Sequence, residues 1–479
     1  MSVALWTPKE LAEITGGRLE GRAETPVAGF SIDTRTLAPG EAYVAIKGDV
    51  HDGHKFTAAA LNNGAALAIV SHADDEMREA GALLVVECDP LEALEHIARA
   101  ARKRATGKVI AVTGSVGKTG TKEMLRACLS RSGGVHASQK SYNNHWGVPL
   151  TLANFPPDAD YGVFEVGMNH PGEIVPLVDM IQPEIAIITT VEPVHLMFFE
   201  SVDEIADAKA EIFTGVISGG AAILNRDNVY FEHLKKAAQG NNIERIFGFG
   251  ETEGAEIHLE KVVLHGSCSC VQAQVLGVPV TYKLGAPGRH LVQNSLSVLA
   301  AVQLVGADLA LAAMALGEIS APEGRGARCR LHHPRGGEIT LIDEAYNANP
   351  ASMRAALGNL GDSKPGKGGR RIAVLGEMLE LGEQSAQMHA AIASSIDEAA
   401  VDSVYACGPM MAHLWEALPE TRKTAYAETS EGLKSALLED VRGGDIVMIK
   451  GSLGSKMLPL VAALKNHFPE HLEETEQTG

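Results

Sequence analysis

The chain has 479 residues, of which 45% are hydrophobic and 21% charged, and its formal net charge is -19. This composition is typical of a folded globular protein, and the length exceeds what one core normally organises, so we expect two to four domains. The acidic excess argues against nucleic acid as a partner, and any anionic substrate must be met by local clusters or metal ions.

The N-terminal segment lacks the basic and apolar parts of a signal peptide, and no apolar run approaches the ~18 residues of a membrane span. The six cysteines are scattered, with Cys268 and Cys270 as the one close pair. This spacing favours reduced thiols over a disulfide framework or a zinc site. The sequence therefore predicts a cytoplasmic protein without a membrane span.

Three segments with different patterns divide the chain. Residues 1–107 combine short strands with turns and end in a helix, whereas residues 108–322 and 323–479 alternate apolar runs with helical patterns. The runs are 109–113, 161–167, 185–191 and 221–225 in the second segment and 339–343, 371–376, 403–408 and 445–452 in the third. Continuous apolar runs of this kind predict an α/β fold with mostly parallel sheets, and the third segment reads as Rossmann-like.

A glycine-rich turn follows the first apolar run of the second segment. Its residues are Gly114, Ser115, Val116, Gly117, Lys118, Thr119 and Gly120. Glycines let backbone N–H groups converge on phosphate oxygens, Lys118 would contact the β- and γ-phosphates, and the Thr119 hydroxyl would bind Mg²⁺. The loop is shorter than a standard Walker A motif, and an ordinary βα turn is the alternative, but Lys-Thr at a strand-to-helix junction favours a nucleoside triphosphate.

Several polar residues follow the later strands of the second segment. Glu165 ends an apolar strand, where parallel sheets bind their ligands, and could hold Mg²⁺. His195 lies in a loop after the next strand and could ligate a second cation, although loop histidines are commonly structural. Lys209 lies in a helix among acidic residues, which alone favours a solvent-exposed ion-pair lattice. Asn294 could pair with an adenine edge or cap a helix.

Polar clusters also mark the ends of strands in the first and third segments. The third segment contains Asp343, Tyr346, Asn347 and Asn349, followed by 376–382 with His389 and then by Lys450-Gly-Ser452. The first segment contains Ser31, Thr34, Arg35, Lys47, Asp52 and His54 among glycine turns. Turns and helix caps alone would explain either series.

Taken together, these motifs resemble the Mur ligase family, the ATP-dependent amide-bond ligases of peptidoglycan synthesis, from about residue 25 to about residue 465. The resemblance implies that the shortened phosphate loop is a family feature and that Glu165 and His195 bind Mg²⁺. It implies that Lys209 carries a carbamate, which would convert a cation into an oxygen ligand of a second Mg²⁺. It also implies that Asn294 contacts adenine and that Asn143 and Asn144 belong to a substrate-binding stretch at 141–149.

The third segment indicates which reaction the resemblance implies. Tyr346-Asn-Ala-Asn-Pro350 and 376–382 with His389 look like the family member that adds D-alanyl-D-alanine to UDP-N-acetylmuramoyl-tripeptide. The domains would then be 1–107 for the UDP-linked substrate, 108–322 for ATP and 323–479 for the dipeptide, in a monomer. The resemblance assigns ATP contacts to Asp343, Tyr346 and Asn347, and substrate contacts to Ser31, Thr34, Arg35, Lys47, Asp52, His54 and Asn349.

One nucleotide-contacting arginine has two candidate positions. The spacing to Asp343 favours Arg328, which we take as the prediction, whereas the Gly-Arg dipeptide favours Arg325. The implied reaction passes through an acyl phosphate, which Lys118 and Mg²⁺ held by Thr119, Glu165, His195 and carbamylated Lys209 would stabilise.

Two alternatives remain open from the sequence. A folylpolyglutamate-synthase-like ligase would use the same central domain but would lack the uridine-binding segment and the motif at 346–350. A nucleotide-dependent switch would use the phosphate loop without a peptide-ligase site. The sequence does not indicate whether the third peptide residue of the substrate is diaminopimelate or lysine.

Overall fold

The computed structural model describes residues 4–48, 50–139, 141–194, 196–321 and 323–470. Strands within these residues form three sheets of five, nine and six strands. The first sheet lies within 18–85, the second within 108–284 and the third within 327–450. The predicted α/β fold with mostly parallel sheets is confirmed, and each sheet lies inside one of the three predicted segments.

The first unit is a small sheet covered by helices. Its elements are α1 (Pro8–Thr15), β1 (Arg18–Glu20), β2 (Gly29–Ser31), β3 (Glu41–Val44), α2 (Thr57–Asn62), β4 (Leu67–Val70), α3 (Asp75–Ala80), β5 (Leu83–Val85) and α4 (Pro90–Arg104). The strand order is β1-β5-β4-β3-β2, and only β1 runs antiparallel to its neighbour. α4 begins with an Asp89 cap and Pro90, and it buries Leu94 and Ile97 in the core.

The second unit contains the largest sheet. Its elements are β6 (Lys108–Thr113), α5 (Lys118–Leu129), β7 (Val135–Ala137), α6 (Gly147–Ala153), β8 (Tyr161–Glu165), α7 (Ile174–Ile181), β9 (Ile185–Ile188), α8 (Val202–Ala210), β10 (Ala221–Asn225), α9 (Phe231–Gly240), β11 (Arg245–Gly250), β12 (Ile257–Leu264), β13 (Ser269–Val275), β14 (Val278–Leu284), α10 (Arg289–Leu304) and α11 (Leu309–Leu316). The order is β14-β13-β12-β11-β10-β9-β6-β8-β7.

The strand that precedes the phosphate loop lies in the middle of this sheet. β6 pairs in parallel with β8 on one side and β9 on the other, so the loops after all three strands meet at one edge. β12, β13 and β14 form an antiparallel extension that corresponds to none of the apolar runs. The reason is that their side chains alternate between buried and exposed, a pattern that one-sided sheets produce.

The third unit is the predicted Rossmann-like layer. Its elements are β15 (Ala327–His332), β16 (Glu338–Glu344), α12 (Pro350–Gly361), β17 (Arg371–Gly376), α13 (Ser385–Glu398), β18 (Ser403–Cys407), α14 (Met411–Ala417), β19 (Lys423–Ala427), α15 (Ser430–Asp440), β20 (Ile446–Lys450) and α16 (Leu458–His467). The order is β15-β16-β20-β17-β18-β19, in which only β15 is antiparallel. β16, β20 and β17 therefore end side by side.

Polar contacts join the first unit to the second. Asn154, just after α6, accepts a hydrogen bond from Phe30 N at 2.8 Å and donates to Phe30 O at 3.1 Å. Arg102 in α4 donates from Nε to Ile181 O at 2.7 Å. The first pair links β2 to the end of α6 and the second links α4 to α7, so both hold the first unit against the second. Among the described residues, no helix has the length and apolar character that crossing a membrane requires.

Candidate active site

The phosphate loop is a tight turn between β6 and α5. Gly114 and Gly117 have φ of 145° and 88°, which side chains other than glycine rarely adopt. A Cβ on Gly114 would lie 2.0 Å from Thr189 Oγ1, so the turn also requires glycine for space. Thr189 Oγ1 donates to Val116 O at 2.6 Å, and Ser115 N donates to Thr190 O at 2.9 Å. The end of β9 therefore holds the loop in place.

Lys118 begins α5 and turns back over the loop. Its Nζ donates to Gly114 O at 2.7 Å, and burial lowers the pKa of this ammonium group, while the nearby Glu165 carboxylate raises it. Gly120 follows in the first turn of the helix and lines the same cavity. A half-buried lysine beside a glycine turn at a helix N-terminus is the arrangement that binds nucleotide phosphates.

Glu165 is the centre of a buried polar cluster at the end of β8. Its Oε1 accepts hydrogen bonds from Thr119 Oγ1 at 3.1 Å and Asn143 Nδ2 at 2.8 Å, and the residue is 1% exposed. Ser141 Oγ lies 3.3 Å from Thr119 Oγ1. Glu165 Oε2 is buried and has no hydrogen-bond partner within the described part of the chain. A buried carboxylate oxygen without a partner is costly, and a hydroxyl and a carboxylate form an oxygen donor set that fits Mg²⁺.

Lys209 lies near the end of α8, and the sequence pattern around it gives the wrong expectation for its exposure. The residue is 2% exposed rather than solvated, and burial together with the neighbouring Lys118 ammonium lowers the pKa of Lys209 well below its usual range. None of the described residues forms an ion pair or hydrogen bond with its Nζ. A lysine that is readily neutral is chemically suited to carbamate formation. His195, the other predicted ligand, lies outside the described residues.

A cavity of about 540 Å³ opens between the second and third units. The phosphate loop and Glu165 lie on its floor, and the third unit contributes Arg325, Tyr346, Asn347, Asn349 and Lys450. At one end it is apolar, lined by Leu284, Ala286, Leu291, Ile319 and Ala321. The sequence interpretation missed this apolar end, because its residues come from β14, α10 and the segment after α11.

Asn294 lies between the apolar end and the phosphate loop. It is 7% exposed and lines the cavity, and a Cβ on Gly117 would lie 2.5 Å from its Nδ2. Its amide group can both donate and accept, as an adenine edge requires. Two further cavity residues, His290 one turn earlier and Glu192 after β9, were not predicted from the sequence. Burial lowers the pKa of His290 and raises that of Glu192.

The structure separates the two candidate arginines. Arg325 lines the cavity, stacks with its guanidinium carbon 4.2 Å from the Tyr346 ring centroid, and donates to Ser141 Oγ at 3.3 Å. Arg328, the predicted contact, lies within β15 and donates to Ser363 Oγ at 2.9 Å, and neither residue lines the cavity. The described residues therefore bring Arg325, and not Arg328, to the cavity.

Asp343 does not line the cavity within the described residues. Its carboxylate accepts from Gly324 N at 3.0 Å and Ala345 N at 3.1 Å. It therefore holds the backbone of the residue immediately before Arg325 and of the residue immediately before Tyr346. Asn347 and Asn349 also have local contacts: Asn347 Oδ1 accepts from Ala348 N at 2.8 Å, and Asn349 caps α12.

The predicted residues of the first unit gather at one edge of its sheet, away from the cavity. They lie at the end of β2 and in the segments after β2 and β3, two parallel strands whose carboxyl ends form a common ligand-binding edge. Ser31 Oγ bonds Asp33, Thr34 is half-buried, and Arg35 pairs with Asp33 at 2.7 Å. Lys47 is exposed, and its backbone pairs with that of Asp52 in an isolated antiparallel β-bridge. His54 Nδ1 lies 2.8 Å from Asp52 Oδ1, and Ser71 N donates to its Nε2 at 3.1 Å.

The two asparagines of 141–149 have different roles. Asn143 reaches Glu165, as described above, whereas Asn144 is exposed and its Oδ1 accepts from Gly147 N at 2.9 Å. The Asn144 side chain is therefore used locally, on the backbone at the start of α6. Of this pair, only Asn143 belongs to the cluster around the phosphate loop.

Comparison with known proteins agrees with this geometry. Three family models match: "Mur ligase family, catalytic domain" over 26–102, "Mur ligase middle domain" over 112–302, and "Mur ligase, glutamate ligase domain" over 327–453. A UDP-N-acetylmuramoyl-tripeptide--D-alanyl-D-alanine ligase from Rickettsia prowazekii is 31% identical and covers 95% of this chain and 99% of its own length.

Two solved structures are also similar to the chain. MurF from Acinetobacter baumannii has a TM-score of 0.84 at 29% identity, covering 97% of this chain and 100% of its own. MurF from Thermotoga maritima, solved with ADP, has a TM-score of 0.75 at 25% identity and covers 92% and 97%. The fold, the shortened phosphate loop and these similarities together show that the chain belongs to the Mur ligase family.

Proposed function

We propose that the protein is the ATP-dependent ligase that joins D-alanyl-D-alanine to UDP-N-acetylmuramoyl-tripeptide and releases ADP and phosphate. The observation that carries the proposal is the polar group beside the phosphate loop: Lys118 and the buried Glu165 line the cavity between the second and third units, and the buried Lys209 lies close enough to Lys118 for that ammonium to lower the pKa of Lys209. The full-length similarity to ligases with this activity supports the choice of substrates.

The reaction begins when the C-terminal carboxylate of the tripeptide attacks the γ-phosphate of ATP. Two anions must approach each other. Lys118 supplies a positive charge beside the phosphoryl oxygens, on which negative charge develops in the transition state. We assign Mg²⁺ to Thr119, Glu165, His195 and carbamylated Lys209; when bound, it neutralises the phosphate oxygens. Val116, Gly117 and the residues that follow contribute backbone N–H groups to the same phosphates, while the Ser115 N–H holds the loop to Thr190 O.

The second step is attack of the dipeptide amine on the acyl carbon, which expels inorganic phosphate. The acyl phosphate hydrolyses in water, so the third unit must exclude solvent while the amine approaches. Arg325 and Tyr346 contact the nucleotide from the third unit. Asn294 and the apolar end of the cavity bind its adenine. We retain Asn347 and Asn349 as contacts from the third unit, and assign Asp343 to holding the backbone around Arg325.

The remaining assignments concern the first unit and the state of the protein. We propose that Ser31, Thr34, Arg35, Lys47, Asp52 and His54 form the uridine-nucleotide site at the sheet edge, with domain boundaries at 1–107, 108–322 and 323–479. We also propose that the protein acts as a monomer. We place the reaction in the cytoplasm, consistent with six free cysteines.

The test is ADP release by the purified protein with ATP, Mg²⁺ and UDP-N-acetylmuramoyl-tripeptide, with and without D-alanyl-D-alanine. We expect sustained release only with both substrates, together with a product whose mass equals the UDP-linked pentapeptide. Release that does not depend on the dipeptide would favour a nucleotide switch. Activity with a folate and glutamate in place of these substrates would favour the folate-type ligase.

A further inference from the structure

Three buried polar side chains of the third unit have no assigned role in the proposed reaction, although Lys450 lines the cavity. Lys450, Ser452 and His389 are 2%, 5% and 0% exposed. Lys450 is the last residue of β20, Ser452 follows that strand, and His389 lies in α13. They occupy the edge where β16, β20 and β17 end, next to the cavity. Burying a polar group costs folding free energy unless the group is hydrogen-bonded. The hydrogen-bond partners of these side chains therefore indicate what they hold in place.

Ser452 connects the loops that follow the two neighbouring strands. Its Oγ donates to Ala348 O at 3.1 Å and accepts from Leu379 N at 3.0 Å. Its backbone N donates to Glu377 O at 2.9 Å. A hydroxyl has one donor proton and two acceptor sites, so a single side chain serves both loops at once.

The first of these loops, 345–349, faces the nucleotide. Tyr346 and Asn347 line the cavity, and Lys450 Nζ donates to Asn347 O at 2.9 Å and pairs with Glu344 at 3.4 Å. The backbone of this loop is therefore held from the β20 side by Lys450 and Ser452 together.

The second loop, 377–381, approaches the central unit. Met197 N, in the segment after β9, donates to Glu380 O at 3.2 Å. On the inner side, Met378 N donates to His389 Nε2 at 3.0 Å, and His389 Nδ1 bonds Ser385 O at 2.7 Å. The inner half of the loop is anchored, while Leu379 and Glu380 are exposed at its tip.

We propose that Ser452 is a positioning residue that locks loop 377–381 to the nucleotide-facing loop 345–349, so that the dipeptide amine is presented in register with the acyl phosphate. This inference rests on the proposed function, because it assigns loop 377–381 to the dipeptide side of the cavity. Small displacements of a reacting group reduce rates steeply, so a rigid link between the two loops has a direct kinetic value.

The experiment compares Ser452→Ala with Ser430→Ala. Ser430 is an equally buried serine of the same unit, whose Oγ donates to Lys456 O at 2.7 Å away from both loops. We expect Ser452→Ala to raise KM for the dipeptide about five- to tenfold, the size of one or two lost hydrogen bonds, with KM for ATP changed by less than about twofold. Both variants should lower Tm by a similar amount, but Ser430→Ala should leave KM for the dipeptide and KM for ATP equally unchanged.

Hydrogen exchange gives a readout that is independent of activity. The Leu379 amide should exchange faster in Ser452→Ala than in wild type and should be unchanged in Ser430→Ala. Ser452→Cys keeps the shape and weakens both hydrogen bonds, so it should show an intermediate effect if the alanine variant fails to fold.

The inference is overturned if Ser452→Ala and Ser452→Cys keep wild-type exchange at Leu379 and a wild-type KM for the dipeptide. A wild-type protein without dipeptide-dependent ADP release would instead refute the proposed function, while the exchange result would still report on the link between the loops.

Discussion

Thr119 Oγ1 donates to Glu165 Oε1 at 3.1 Å, which joins the first turn of α5 to the end of β8 within the buried floor of the cavity. The other oxygen of this carboxylate is buried without a partner among the described residues. The pair therefore presents an oxygen donor set with one carboxylate oxygen open among the described residues, and a divalent cation is the ligand that these oxygens favour.

Replacing Glu165 with glutamine should separate function from stability. The buried charge is removed while the shape is kept, so we expect Tm to stay the same or rise. We expect kcat to fall at least about 100-fold, because the cation would lose its carboxylate ligand. Glu173→Gln, at an exposed position after β8, is the control and should retain activity. An active Glu165→Gln enzyme with wild-type Mg²⁺ dependence would contradict the assignment.

Lys209→Ala should abolish ligation, because the alanine side chain cannot carry a carbamate. Protein incubated with ¹³C-bicarbonate should show a carbamate carbon signal by NMR that is missing from the variant. Short carboxylic acids at millimolar concentration should restore part of the activity by supplying the missing oxygens. Full activity in Lys209→Ala, or the same carbon signal in both proteins, would exclude the carbamate.

The two arginines of the 324–328 segment should differ in their effects. Arg325→Ala should raise KM for ATP about tenfold, because a cavity-lining cation that stacks on Tyr346 is lost. Arg328→Ala should instead lower the free energy of unfolding by about 1–3 kcal/mol, since this half-buried side chain holds Ser363. Steady-state kinetics and urea unfolding on both variants test this; the reverse result would restore Arg328 as the nucleotide contact.

The free energy of unfolding should fall as the pH decreases below about 6.5. Burial lowers the pKa of His136, His290 and His389 in the folded protein below the usual value of 6.5. In that range the unfolded chain binds more protons than the folded one, so acid favours unfolding, whereas above it all three are neutral in both states. Urea midpoints between pH 5 and pH 8 measure this. In His389→Gln the urea midpoint should depend less steeply on pH below about 6.5. A slope equal to that of the wild type would show that His389 does not contribute to the pH dependence.

The sequence by itself determined the features that depend on local pattern. β10 and β17 coincide with the predicted runs 221–225 and 371–376, because a strand buried on both faces is continuously apolar. The phosphate loop was equally readable, since its glycines and Lys118 act within seven residues of one another. The strands of the antiparallel extension β12–β14 were not predicted from the sequence, because about half of their side chains face solvent and no continuous apolar run marks them.

Only the tertiary structure decided which polar residues meet. The helical pattern around Lys209 suggests a solvated lysine, and the burial that lowers its pKa comes from packing against other elements. The choice between Arg325 and Arg328, the apolar end of the cavity, and the link through Ser452 likewise depend on segments far apart in the chain. Periodicity encodes which face of an element is buried, but the partner across that face is set by packing of the whole chain.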